Sequence, residues 1–327
     1  MKNEKQPMVP TMIPNNAHKD IPGNPSTAKS SKVKLNDRSN GKPLRVLSEE
    51  DWAFWKHNGY IVIKNAVPRE QALATGQFLW EFEDKKPEDP STWYTAARAE
   101  MKMKELAGTG MVEVYNHQRL WNNRQNAKIY YTFADIWGTD KLWVTIDRAN
   151  LNFPIRSGFQ YKGFIHWDYD PDTKPQNVQG VLALGDQMDE NMGGFQCIPW
   201  LFRNYEEWAK TQPKDRNNFR PDITGLEDKI VKVGLEAGDL VIWDSRQPHG
   251  IRPNHSNGKV RMAQYISMMP AEEDKEALKQ WRINSWKNRI APEGFAFPGD
   301  PRNWEQTKYE TAQLTALGER LLGLKKW

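Results

Sequence analysis

From Leu142 onward the chain breaks into seven short β-rich runs, at 142–151, 159–168, 178–185, 194–199, 229–234, 239–243 and 260–268. Clusters of Gly, Pro, Asp and Asn separate them. Many short strands punctuated by turn residues fold as an all-β sandwich or barrel. Helical patterning is confined to the flanks. Ser48-Glu49-Glu50-Asp51 has the form of a capping box, and Trp52 and Trp55 start a stripe that stops at Asn58-Gly59. Tyr60 to Val67 reads as a strand, and Pro68 as the first residue of a helix running to about Glu83. A loop is expected at 87–92, with helical pieces near 96–106 and 127–137 and again over 271–289 and 309–322. The expectation is one domain over 46–327, mainly β with flanking helices, with a jelly-roll core at about 142–268.

The 327 residues can bury a substantial core, and no apolar run approaches the roughly 18 residues that span a bilayer. The first lysines are followed by no apolar segment, so a secretory signal is not expected, and the single cysteine, Cys197, fits a reducing cytoplasm. Cys197 lies in a mostly apolar run and reads as a packing residue. Charge is unevenly placed. Residues 1–45 hold nine Lys or Arg against three Asp or Glu, leaving 37 basic and 39 acidic residues in the body, a net of −2. The leader is rich in Pro, Asn, Ser, Gly and Lys, lacks aromatics and is expected to be disordered. The body gives no electrostatic reason to expect a nucleic-acid partner.

Within the β-rich region, His166 and Asp168 stand two apart, and side chains two apart on a strand share a face. His249 follows Asp168 by 81 residues, after the turn Gly238-Asp239 and an apolar run, and Arg261 follows His249 by twelve. Two imidazoles and one carboxylate on one side of a metal make the facial arrangement of non-haem Fe(II) oxygenases, which leaves positions open for cosubstrate and oxygen. Any one of these residues alone reads better as structural or solvated, and their joint placement carries the reading. Arg261 starts the run Arg261 to Ile266, expected to pair beside the strand ending at His249, where its guanidinium could grip the far carboxylate of a bound diacid.

In these residues the chain resembles the phytanoyl-CoA dioxygenase family of Fe(II)- and 2-oxoglutarate-dependent oxygenases. The resemblance runs from Leu47 to about Pro270. It includes the Leu-Ser-Glu-Glu helix with Asn58-Gly59-Tyr60, His166-Trp167-Asp168, Gly193 to Pro199, and Gly238-Asp239-Leu240 leading to His249-Gly250 and Arg261. It implies a double-stranded β-helix with iron held by His166, Asp168 and His249, and with Arg261 binding the C5 carboxylate of 2-oxoglutarate. The implied cosubstrates are 2-oxoglutarate and O2, with succinate and CO2 as products. Because Asp168 is retained, oxidation of an unactivated C–H bond is expected, above all hydroxylation, and halogenation is not. Two positions depart from the family pattern: Pro199-Trp200-Leu201-Phe202 replaces Pro-Gly-Ser-His, and Ile251 replaces a hydroxyl residue.

Asp170 is two beyond Asp168, but Pro171 ends the run, so a loop carboxylate or substrate contact is expected. Gln179, Arg148 and Asn150 sit in core runs where a polar side chain needs a partner, either structural or substrate. His255 reads as solvated; His18, His57 and His117 show no ligand spacing; Trp167 is expected to point away from the metal. The favoured substrate is a small molecule. The alternatives are a carrier-bound or macromolecular substrate docked by the basic leader, and a catalytically silent jelly-roll binding protein.

Overall fold

The structure is a computed structural model describing residues 29–94, 110–158, 162–292, 297 and 299–327. The expected helix near 96–106 lies outside these residues. So does most of the leader; residues 29–45 lie against the body, with Ser31 N–H donating to the Gln176 carbonyl at 3.0 Å and Asn36 Nδ2 to the Asp135 carbonyl at 2.7 Å. Among the described residues no helix is long and apolar enough to cross a membrane.

The chain opens with α1 (Glu49–Asn58), β1 (Tyr60–Ile63) and α2 (Arg69–Phe82). The capping box is formed as read, with Asp51 N–H donating to Ser48 Oγ and Ser48 N–H to Asp51 Oδ2, both at 3.0 Å. Gly59, at φ 69°, closes α1. Pro68 is the N-cap of α2, one residue outside the position read from the sequence. Then come β2 (Met111–Val112), α3 (Gln118–Arg124) and α4 (Ala127–Trp137). The β region holds β3 (Leu142–Val144), β4 (Ala149–Asn152), β5 (Val178–Ala183) and β6 (Met192–Cys197). Two short helices, α5 (Pro199–Arg203) and α6 (Tyr205–Lys210), precede β7 (Val231–Lys232), β8 (Leu240–Asp244) and β9 (His249–Asn254). The chain continues with β10 (Arg261–Tyr265), β11 (Met268–Pro270), α7 (Glu276–Asn288), α8 (Trp304–Lys308) and α9 (Ala316–Leu322). Of the helix expected over 309–322 only α9, from Ala316, is formed, 309–315 being non-helical, and the one expected over 271–289 starts at Glu276.

The strands form a six-stranded antiparallel sheet in the order β1-β8-β5-β10-β4-β2, a three-stranded sheet β7-β6-β9 and a pair β11-β3. Parity sorts the larger sheet's two faces. Leu182, Leu240, Ile242 and Leu151 belong to the apolar layer shared with Leu79, Phe82, Trp121 and Phe133 of the helices. Their alternates Val181, Ala183, Val241, Trp243 and Ala263 pack against Phe195 and Cys197 of the smaller sheet. Cys197 is buried and burial pushes its thiol up, as a packing residue requires. Both faces of the larger sheet are therefore covered, and the space between the sheets receives the inward side chains of β4, β5 and β10. This is the mainly β fold with flanking helices, a jelly-roll core, that the strand pattern indicates.

Two expectations about the strands need correction. The run 159–168, of which 159–161 lie outside the described residues, is not a ladder strand; from Lys162 it is irregular, and His166 makes an isolated bridge to His249. Arg261 does not lie beside the strand of His249. His249 begins β9 in the smaller sheet, whereas Arg261 begins β10, which pairs with β4 and β5 in the larger one. Consecutive strands change sheets here, so neighbours in sequence are not neighbours in a ladder.

Candidate active site

His166 and His249 are joined backbone to backbone, His166 N–H to the His249 carbonyl at 2.8 Å and His249 N–H to the His166 carbonyl at 3.0 Å. Such a doubly bonded antiparallel pair places two side chains on the same side, and the ring centroids lie 4.7 Å apart. The approach depends on Gly250, where a Cβ would sit 1.7 Å from the Phe164 carbonyl oxygen. Trp167, between the two candidate ligands, turns away: it is buried, its Nε1 donates to the Arg246 carbonyl at 2.9 Å, and it packs on Tyr205 and Trp208.

Asp168 faces both imidazoles, with Oδ1 3.2 Å from His166 Nε2 and Oδ2 3.4 Å from His249 Nε2. One donor atom from each of the three residues can be chosen so that all lie within 4.8 Å of one another. Metal–ligand bonds of about 2.1 Å at right angles put neighbouring donors about 3 Å apart, so the spacing fits one ion. His249 Nδ1 lies 3.0 Å from the Gln247 carbonyl, which holds the proton there and leaves Nε2 its lone pair. Burial keeps His249 below its ordinary value, so the imidazole is neutral and able to ligate. Burial alone would raise Asp168, but His166, through charge and hydrogen bond, holds it well below the usual carboxylate range. The donor set is that of a divalent transition metal. Phe195 and Trp243, whose centroids lie 6.1 and 4.8 Å from the His249 ring, wall it off.

Gln179, on the inner face of β5, donates from Nε2 to Asp168 Oδ2, a contact that fixes the carboxylate's rotation. Gln179→Leu is expected to weaken Fe(II) binding roughly 10- to 100-fold, measured by chelator competition, because outer contacts of this kind tune ligand geometry. Arg261 is buried; its Nε donates to Gln187 Oε1 at 3.1 Å and its Nη1 to Asn150 Oδ1 at 3.3 Å, while Nη2 has no partner among the described residues. A buried guanidinium nitrogen without an acceptor fits the carboxylate end of an acid bound between the sheets. Arg148, by contrast, pairs with Glu113 at 2.9 Å. Asp170 accepts from Asp172 N–H at 3.0 Å and from Asn218 Nδ2 at 2.8 Å, as a loop carboxylate. His255 is exposed, and His117 stacks on Phe78 at 3.7 Å. Gln187 was not legible as a site residue: it lies in the turn after β5, outside every β-rich run, and only the fold brings it to Arg261.

The sequence profile of the phytanoyl-CoA dioxygenase (PhyH) family matches residues 55–263, more than half of the chain. The chain belongs to this family. As a PhyH member it is a non-haem Fe(II)- and 2-oxoglutarate-dependent oxygenase, and Fe(II) and 2-oxoglutarate are its cofactors. The PhyH chain is 29% identical over 279 residues to Ava biosynthesis cluster protein O of Aspergillus versicolor, covering 76% of this chain and 84% of that protein. Its fold resembles GlcNAc Inducible Gene 2, GIG2, from Candida albicans, with a TM-score of 0.61 at 15% identity over 86% of this chain and 77% of that one. It also resembles the hypothetical protein JW0805 from Escherichia coli, with a TM-score of 0.60 at 18% identity over 88% and 87% of the two chains.

Proposed function

We propose that this PhyH enzyme oxidises, by hydroxylation, an unactivated C–H bond of a small organic molecule. In this reading His166, Asp168 and His249 hold the iron and Arg261 holds the C5 carboxylate of 2-oxoglutarate. The observation that carries it is Arg261 Nη2, without a partner among the described residues and buried on the inner face of the sandwich that also holds the triad. Iron bound there supplies the oxygen chemistry, coupled to conversion of 2-oxoglutarate to succinate and CO2. The protein's own part is geometric. Gln247 and Gln179 orient His249 and Asp168. Arg261 sets the orientation of the cosubstrate, and the Phe195 and Trp243 rings keep water from His249. The likeness to a protein named for a fungal biosynthesis cluster supports a small-molecule substrate.

The test is anaerobic visible absorbance with Fe(II), titrating 2-oxoglutarate into wild type, His166→Ala and Arg261→Ala. A weak charge-transfer band is expected in wild type and not in His166→Ala. Arg261→Ala is expected to need roughly 30-fold more cosubstrate or greater, as for loss of a buried charge partner. No band from folded, iron-binding wild type overturns the reading.

A further inference from the structure

Three residues past His249, a second guanidinium lies buried beside that of Arg261. Arg252 Nε and Nη2 donate to the Gly193 carbonyl at 3.0 and 2.7 Å, and Nη1 donates to the Phe195 carbonyl at 3.0 Å. Gly194 makes the room: a Cβ there would lie 2.8 Å from Arg252 Nη2 and 3.8 Å from Gln187 Oε1, the atom that accepts from Arg261 Nε. The Arg252 guanidinium and the Gln187 amide that binds Arg261 thus border the same space above Gly194. Every acceptor they use among the described residues is a neutral amide or carbonyl oxygen. Glu190, the carboxylate that acts on Arg252 from a distance, is itself paired with Lys232 at 2.9 Å. Burial, and then the charge of Arg261, pull Arg252 down to about 10, still protonated at neutral pH. Two like charges have been gathered inside the sandwich with neutral partners, and one nitrogen of Arg261 is left without an acceptor among the described residues.

We propose that Arg252 is a specificity residue for the cosubstrate, giving the Arg261 site the second positive charge with which it selects an acid carrying a distal carboxylate. The proposal rests on the reading of Arg261 given above. The hydrogen bonds of Arg252 go to β6, so it acts on the bound acid through its charge. If it served only to strap β6, a neutral amide donor would do the same work without bringing a charge against Arg261.

The experiment uses the full chain loaded with Mn(II) as a redox-silent ion and measures Kd by calorimetry for 2-oxoglutarate and for 2-oxobutyrate, which lacks the distal carboxylate. R252Q is expected to weaken 2-oxoglutarate roughly 10-fold or more while changing 2-oxobutyrate less than about threefold. R252K, which keeps the charge and loses the fork, is expected to stay within about threefold of wild type for both acids. R252M is the second neutral variant should R252Q not fold. Equal losses for both acids together with a lower Tm would make Arg252 a strap and overturn the proposal, as would unchanged 2-oxoglutarate affinity in the neutral variants. R261Q separates the two readings: loss in R261Q without loss in R252Q removes Arg252 alone, whereas no loss in either, or no binding by wild type, removes the Arg261 reading as well.

Discussion

Asp168→Asn is expected to consume 2-oxoglutarate at least about 100-fold more slowly than wild type, more than the loss of an outer contact to a metal ligand costs. The substitution keeps the side chain's size and an oxygen for Gln179 Nε2, which donates to Asp168 in the wild type. What it removes is the negative charge between two imidazoles whose Nε2 atoms lie 3.2 and 3.4 Å from the carboxylate. A divalent ion in the variant would face three neutral donors, so both its affinity and its ability to order a dianionic cosubstrate fall. Succinate formation and Fe(II) affinity are measured side by side. Turnover within tenfold of wild type would remove Asp168 from the ligand set.

Gly250→Ala is expected to do comparable damage without touching a ligand. The added Cβ would stand 1.7 Å from the Phe164 carbonyl oxygen and 2.8 Å from its carbon, and these are backbone atoms that no rotamer change can move. Either β9 or the segment through His166 must retreat, and the paired hydrogen bonds between His166 and His249 are lost with it. Overpacking against backbone at a buried junction costs about 3 kcal/mol, which lowers Tm by roughly 4 °C for a chain of 327 residues. Thermal unfolding and Fe(II) affinity are expected to fall together. A stable variant that binds iron normally would show that the two segments need not meet this closely.

The residues of the site were more legible than the backbone that carries them. His166, Asp168 and His249 stand out because few residue types bind a transition metal and their neighbours mark β-rich chain. Strand parity puts His166 and Asp168 on one face, but the structure brings them together differently. His166 is bridged to His249, whereas Trp167 N–H donates to the Phe219 carbonyl at 2.8 Å, so no regular ladder passes through the motif. Arg261 was legible as an anion-binding residue, yet its sheet was not. The choice of β4 and β5 as neighbours of β10 is made by packing across the whole sandwich, which local pattern does not encode. Gln179, Asn150 and Arg148 show the same limit from another side. Gln179 and Asn150 are polar residues in core strands and Arg148 immediately precedes β4, and only the assembled structure tells that the first holds Asp168, the second Arg261, and the third Glu113. Arg252 gave no signal because parity from His249 assigns it to the opposite face.

His249 and Arg261 are carried by facing sheets. Sheets in such a sandwich keep a separation of about 10 Å that packing fixes on both sides. If the proposed roles hold, that separation is a gauge: one end of the cosubstrate is pinned from the smaller sheet and the other from the larger. An acid one methylene too short or too long would then satisfy one jaw at the expense of the other. Discrimination by length would be a property of the scaffold, set by residues throughout both sheets that never meet the ligand.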